Sequence, residues 1–170
     1  MDRVREIVLE LKNNDYSAFD EFYELTNRLV YIMISSIIRN RSIIEDLMQD
    51  TYVKFIENID KISISSNPTA YLAQTAKNIS INAFNKNQRM IYTGDYFDNY
   101  PEEKDQSKID LGIIDYLEGL EKEVVTLKII GDLKFREIAN IVDKPLGTVL
   151  WLYNKAIKYL KKEVGERYDN

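Results

Sequence analysis

The sequence predicts an all-α protein made of two small helical domains joined by an acidic linker, and three observations carry that expectation. Only six Gly and three Pro occur in 170 residues, and no period-two alternation of apolar and polar residues is sustained. Apolar residues recur instead at three- and four-residue steps, as one face of a helix requires. Residues 92–110 then turn polar and acidic, a composition that does not pack. Domains are therefore expected at 1–91 and 111–170, with 92–110 as the linker.

The first helix is expected over residues 2–12, with Val4, Ile7, Val8 and Leu11 as its stripe and Asn13, Asn14 and Asp15 as its break. A longer helix follows from about Ser17 to Ile38, with Phe19, Phe22, Tyr23, Thr26, Val30 and Met33 at core spacing. The segment from Ser42 to Glu57, SIIEDLMQDTYVKFIE, organises the first domain. Ser42 and Glu45 have the spacing of a capping box, which satisfies backbone N–H groups that a first helical turn leaves unpaired. Ile44, Leu47, Met48, Thr51, Phe55 and Ile59 form its inner stripe, leaving Asp46, Gln49, Asp50, Val53 and Glu57 outside. On spacing alone this outer face reads first as solvated surface, with a site for another protein as the alternative.

A polar, β-branched loop ends at Asn67 and Pro68, an N-cap followed by the residue best suited to a first helical position. The helix this starts is expected to reach about Arg89. Leu72, Ala76, Ile79 and Ala83 face inward, and Tyr71, Gln74, Thr75, Asn78, Asn82, Asn85, Lys86 and Arg89 face outward. That outer face holds a ring that can stack, amides that can read base edges and cations that can neutralise phosphate, with no carboxylate.

In the second domain Ile114, Leu117 and Leu120 continue a helical stripe, and a helix from Glu121 is closed by Gly131 and Asp132. Two further helices meet at Asp143, Lys144 and Pro145, the outline of a helix-turn-helix, with Ala139 at the crossing and Leu146 to Leu160 as recognition helix. Val149, Tyr153, Ala156 and Leu160 face inward; Trp151, Asn154, Lys155 and Lys158 face outward. Gly147 allows close approach and Thr148 offers a hydroxyl where the helix N-terminus would receive a DNA phosphate.

Composition removes several classes of chemistry. There is no Cys and no His, hence no disulfide, thiolate nucleophile, imidazole base or usual zinc ligand. Neither paired carboxylates at a plausible pocket nor a phosphate-cradling glycine loop is present, so no enzyme and no cofactor is expected. No run approaches the roughly 20 apolar residues of a membrane span, and the charged N-terminus is unlike a signal peptide, which predicts a cytoplasmic protein without membrane contact. The net charge of −5 is unevenly spread. Residues 61–94 carry Lys61, Lys77, Lys86 and Arg89, and residues 144–162 carry Lys144, Lys155, Lys158, Lys161 and Lys162, neither segment with an acid. Two basic surfaces set in an acidic body fit contact with phosphate at two places.

Taken together, IIEDLMQDTYVKF resembles region 2.2 of the sigma-70 family of bacterial sigma factors, NPTAYLAQTAKNISINAFNKNQR resembles regions 2.3 and 2.4, and LKFREIANIVDKPLGTVLWLYNKAIKYLKK resembles region 4.2. All stand in family order over roughly residues 15–165, and the short linker leaves no room for a third domain, so the chain looks like an extracytoplasmic-function (ECF) sigma factor of sigma domains 2 and 4. The resemblance implies a non-catalytic subunit that directs core RNA polymerase to promoter DNA. Asp46, Gln49 and Asp50 would bind the polymerase clamp helices. Tyr71, Thr75, Asn78, Asn82, Lys86 and Arg89 would engage the melted minus-ten element, with the loop from Asn58 to Asn67 pocketing a flipped base. Gly147, Thr148, Trp151, Asn154, Lys155 and Lys158 would face the minus-thirty-five element, and the linker would thread toward the RNA exit path. An anti-sigma factor is a further candidate partner. The chain departs from the family at Leu150 and Leu152, where cations are common, and at Trp151, where a small polar residue is common; thymine-methyl contacts or packing against a partner would replace polar readout there. The competing readings are a stand-alone helix-turn-helix regulator, which should dimerise on a palindrome, and a helical interaction protein that binds no DNA.

Overall fold

The computed structural model describes residues 3–63, 66–93 and 112–168, and the described residues are helices, short 3-10 turns and connections without strands. The chain divides into two compact units, Met1–Asp105 and Gln106–Asn170.

The first unit packs four helices, α1 (Arg3–Lys12), α2 (Phe19–Ser35), α3 (Arg41–Glu57) and α4 (Pro68–Thr93). None can bury its stripe alone, so the core forms where the stripes meet. Ile7 and Leu11 of α1, Phe22, Leu29 and Met33 of α2, Phe55 of α3 and Leu72 of α4 are almost wholly buried. Phe22 lies 5.1 Å from Phe55 and 6.0 Å from Tyr52, ring centre to ring centre, the latter edge-on as ring quadrupoles prefer. Buried hydroxyls are satisfied locally: Thr51 donates to the Leu47 carbonyl and Ser80 to that of Ala76. Thr26 donates to the Phe22 carbonyl at 2.7 Å, so its 2.9 Å bond with Tyr52 has the phenol as donor. Burial pushes the Tyr52 phenol well above its ordinary range. Outside the core, α1 is tied to α2 by a bidentate pair, Arg3 to both carboxylate oxygens of Glu21 at 2.8 and 2.6 Å.

Several expectations need correction. Asn40, not Ser42, caps α3: its side chain accepts the Ile43 N–H at 3.2 Å, while Glu45 pairs with Arg41 at 2.9 Å. The helix begins one residue before Ser42, which therefore sits within its first turn rather than ahead of it. The second helix ends at Ser35 instead of Ile38, and Ser36 and Ile38 close it by bonding back to Ile32 and Ile34. Tyr23, expected in the core, is exposed and stacks 5.0 Å from Tyr52 at the rim, while Tyr52 is buried in its place. The loop after α3 is partly ordered as a 3-10 turn, Ile59–Lys61, with Ile59 and Ile62 buried and the Ile62 carbonyl accepting the Lys12 ammonium. Helix α4 runs past Arg89 and into the expected linker, as far as Thr93; the rest of the linker, with Tyr96, Phe97 and Tyr100, lies outside the described residues.

The second unit holds a 3-10 turn (Gly112–Tyr116) and three helices, α5 (Gly119–Ile129), α6 (Phe135–Val142) and α7 (Leu146–Tyr168). Its core is aliphatic: Val124, Val125, Leu127, Leu133, Ile138, Val149 and Ala156 are fully enclosed. The expected stripe through Ile114, Leu117 and Leu120 is broken, because the turn ends at Tyr116 and α5 starts afresh at Gly119, whose φ of +54° suits glycine. Beyond α5, a Cβ on Gly131 would stand 2.7 Å from the Leu127 carbonyl oxygen, so only glycine fits that closure. Thr126 is fully buried and its hydroxyl has no hydrogen-bond partner among the described residues.

Candidate functional site

Three faces carry the residues singled out from sequence. On α3, Asp46, Gln49, Asp50, Val53 and Glu57 are all exposed. The inner stripe explains why: Ile44, Leu47, Thr51, Tyr52 and Phe55 are buried, which fixes the rotation of the helix and turns the acid and amide groups outward. None of Asp46, Gln49 and Asp50 makes a hydrogen bond or ion pair among the described residues.

On α4, Asn67 starts the helix by accepting the Thr69 N–H at 3.1 Å, with Pro68 in the first turn. Leu72, Ala73, Ala76 and Ser80 are buried, so Asn78, Asn82, Asn85 and Lys86 fall outside and are exposed. Tyr71 and Thr75, expected on this face, are half-buried at its proximal end. The Tyr71 ring leans on Phe55 at 5.9 Å, and the Thr75 hydroxyl donates to the Tyr71 carbonyl at 2.8 Å. Gln74 donates to the Asn78 side-chain oxygen at 3.0 Å, which orients that amide. The side chain of Arg89 lies outside the described residues. Ile81 and Phe84 are exposed beside the asparagine stripe. Sequence reasoning left both unassigned; their only signal was an apolar residue standing off a stripe that already accounted for the core. A cleft of about 140 Å³ opens between α1 and the loop before α4, lined by Arg5, Val8, Leu9, Lys12, Ile62, Ser63, Ser66 and Pro68.

The third face is the helix-turn-helix. Asp143 takes φ 52°, a left-handed stop after α6, and Pro145 leads into α7. Glu137 steadies the start of α6 by accepting the Lys134 N–H at 2.7 Å. Phe135 meets Tyr153 at 5.1 Å, holding α6 against α7. Val149, Leu152, Ala156 and Leu160 are the buried side of α7, with Tyr153 half-buried. Leu152 is only 8% exposed, so it belongs to the core and is not one of the groove-facing apolar residues expected from sequence. Gly147 is exposed with open space around its Cα, Thr148 is half-buried, and Trp151, Asn154, Lys155 and Lys158 are exposed. Lys155 is engaged: its ammonium stands 2.5 Å from a Glu121 carboxylate oxygen on α5 and 5.3 Å from the centre of the Trp151 ring. Lys158 has no such partner among the described residues. The Glu121 contact spans 34 positions, beyond any periodicity argument.

No group of three His, Cys, Asp or Glu among the described residues could hold a metal ion, and no described helix is long and apolar enough to cross a membrane. Three exposed faces result: an acid and amide surface unpaired among the described residues, an amide and cation surface, and a helix-turn-helix.

Comparison with known proteins agrees with this construction. The Sigma-70 region 2 family model matches residues 22–90, which take in α3 and most of α4. The ECF RNA polymerase sigma factor SigW of Bacillus subtilis (strain 168) is 21% identical over 180 residues, covering 95% of this chain and 96% of that protein. Among solved structures, the sigma factor RpoE in complex with the anti-sigma factor NepR from Bartonella quintana has a TM-score of 0.61 at 19% identity, over 86% of this chain and 96% of that one. CnrH in complex with the cytosolic domain of CnrY has the same TM-score at 15% identity, over 97% and 99%. These two share the fold. The match identifies residues 22–90, over the polar faces of α3 and α4, as a Sigma-70 region 2, and along nearly its whole length the chain is similar to an ECF RNA polymerase sigma factor.

Proposed function

We propose that the work of initiation is divided among the three faces: α3 docks on core RNA polymerase, α4 holds the melted minus-ten strand, and the helix-turn-helix binds the duplex minus-thirty-five element. In this division residues 1–91 act as sigma domain 2, 92–110 as linker and 111–170 as sigma domain 4. The observation that carries it is the α3 surface. Asp46, Gln49 and Asp50 are aligned by the helix, exposed and without an internal partner, so their charge is not used to stabilise the fold. A basic polymerase helix would meet it with complementary potential. Asn78, Asn82, Asn85 and Lys86 supply amides and charge for unpaired bases and phosphate, the exposed Phe84 adds a ring for stacking, and the cleft beside Ser63 and Ser66 is a receptacle for a flipped base. The chain acts in the cytoplasm, without catalysis of its own. The sigma factor RpoE of Bartonella quintana is complexed with the anti-sigma factor NepR, and a protein of that kind is a candidate regulator here.

The test is Asp46→Arg combined with Gln49→Ala. Because both side chains are exposed, the variant should melt as the wild type does yet fail to co-purify with core polymerase. Retained binding would overturn the assignment of α3. A stand-alone DNA regulator would instead show promoter binding indifferent to polymerase.

A further inference from the structure

The first three turns of α7, residues 146–156, hold the side chains that a recognition helix presents to base edges. Guanine is usually read by a bidentate Arg or Lys, and cytosine by an acid. Lys155 is the only charged residue in that stretch, and it is paired with Glu121 and laid over Trp151. What remains exposed there is largely apolar: Leu146 is 36% exposed, Leu150 37% and Trp151 60%. Exposure of large apolar groups on a domain whose core is already closed calls for an occupant. Lys144, Lys158 and Lys161 on the same turn and helix are exposed, and residues 144–162 contain no acid, so the charge around the apolar patch matches a phosphate-lined groove. The apolar group a major groove offers is the thymine methyl, and Asn154, one turn beyond Trp151, matches the paired donor and acceptor of adenine.

We propose that α7 reads thymine methyl groups through Leu150 and Trp151, flanked by Leu146, and that the upstream element of this sigma factor is therefore specified by A·T pairs alone. Leu150 and Trp151 are the specificity-determining residues, and Lys155 is a positioning residue that holds the indole. The inference rests on the proposal that the helix-turn-helix binds duplex DNA.

The experiment uses full-length protein with core RNA polymerase on promoter templates whose upstream element is randomised and whose downstream element is fixed. Bound templates are sequenced, and the best element is then rebuilt with deoxyuridine for thymidine, which removes only the methyl groups. The expected result is enrichment of A·T pairs and a fall in binding of about four-fold for each contacted methyl, the factor that burying one such group is worth. A Leu150→Ala, Trp151→Ala variant should bind the thymidine and deoxyuridine templates alike. An obligatory G·C pair, or full binding to deoxyuridine templates, would overturn the proposal while leaving duplex binding intact. A deoxyuridine loss shared by the double variant would also overturn it, since the loss would then lie in the DNA. Binding that ignores the upstream element altogether would remove the duplex-binding reading and this proposal with it.

Discussion

Glu121→Gln should turn the helix-turn-helix into a stronger and more salt-sensitive DNA binder. In the wild type Lys155 is 2.5 Å from Glu121, with the two side chains 55% and 24% exposed. A pair this open to water is worth about 0.2–1 kcal/mol, so neutralising Glu121 releases Lys155 at small cost to the fold. A released lysine on the outer face of α7 can meet one additional phosphate. Each phosphate neutralised adds about −0.9 to the slope of log K against log salt, so between 50 and 200 mM the variant should lose about 3.5-fold more affinity than the wild type. At low salt it should also bind more tightly, because the additional phosphate contact that wild-type Lys155, held by Glu121, does not make gains most where counterion release is most favourable. The assay is a salt titration of holoenzyme on a duplex carrying the upstream element, for wild type, Glu121→Gln, Lys155→Ala and the double variant. In the Lys155→Ala background the Glu121 change should leave the slope alone. Equal slopes for wild type and Glu121→Gln, or a Glu121 effect that survives loss of Lys155, would refute the argument that this pair governs the charge presented to DNA.

The Arg3–Glu21 bond holds the Glu21 carboxyl below its ordinary value, so the native state binds that proton more weakly than the unfolded chain does. The resulting stability is present above the unfolded value near 4.5 and is lost as pH falls through the lower native one; Glu21→Gln should lower the melting temperature at neutral pH, and the difference should vanish on acid titration. Thr126→Val replaces a fully buried, unpartnered hydroxyl with a methyl of the same shape and should raise the stability of the second unit by about 1 kcal/mol, read by denaturant unfolding; a loss of stability would mean the hydroxyl has a partner.

Legibility in the sequence followed the strength of local punctuation. Asn67 with Pro68 fixed the start of α4 by joining a side-chain cap to proline's fixed φ, and Asp143, Lys144 and Pro145 fixed the turn between α6 and α7 by joining a left-handed residue to a proline. The outward positions of Asp46, Gln49, Asp50, Asn78, Asn82 and Lys86 were equally readable, since a helix with one buried stripe has only one opposite side. What periodicity could not show was chemistry between distant residues. Tyr52 carries a hydroxyl and so looks like a rim residue, but Thr26, 26 positions away, accepts that hydroxyl and lets the ring sink between Phe19 and Phe22. Tyr23 is then displaced to the surface. Choosing Ser42 over Asn40 as cap missed by two positions, with both residues of capping type. Leu152 was misassigned because α7 buries Val149, Leu152, Ala156 and Leu160 and half-buries Tyr153, so its inward arc takes in Leu152 beside the stripe through Tyr153 that was assumed.

The apolar recognition face also bears on why the two units share one chain. Methyl contacts are individually weak, about four-fold each, and carry no charge, so a helix-turn-helix that relies on them discriminates poorly between sites when it acts alone. Its lysines add affinity, but affinity for phosphate is blind to sequence. The α4 face of the other unit has the complementary limitation, because its amides and cation suit bases that are already unpaired. Joined in one polypeptide, the second contact becomes intramolecular, and two modest preferences multiply into one that neither unit reaches separately. On the proposed division of roles, the acid and amide face of α3, which stabilising the fold does not explain, would bring both readers to a single polymerase and so couple promoter choice to strand opening.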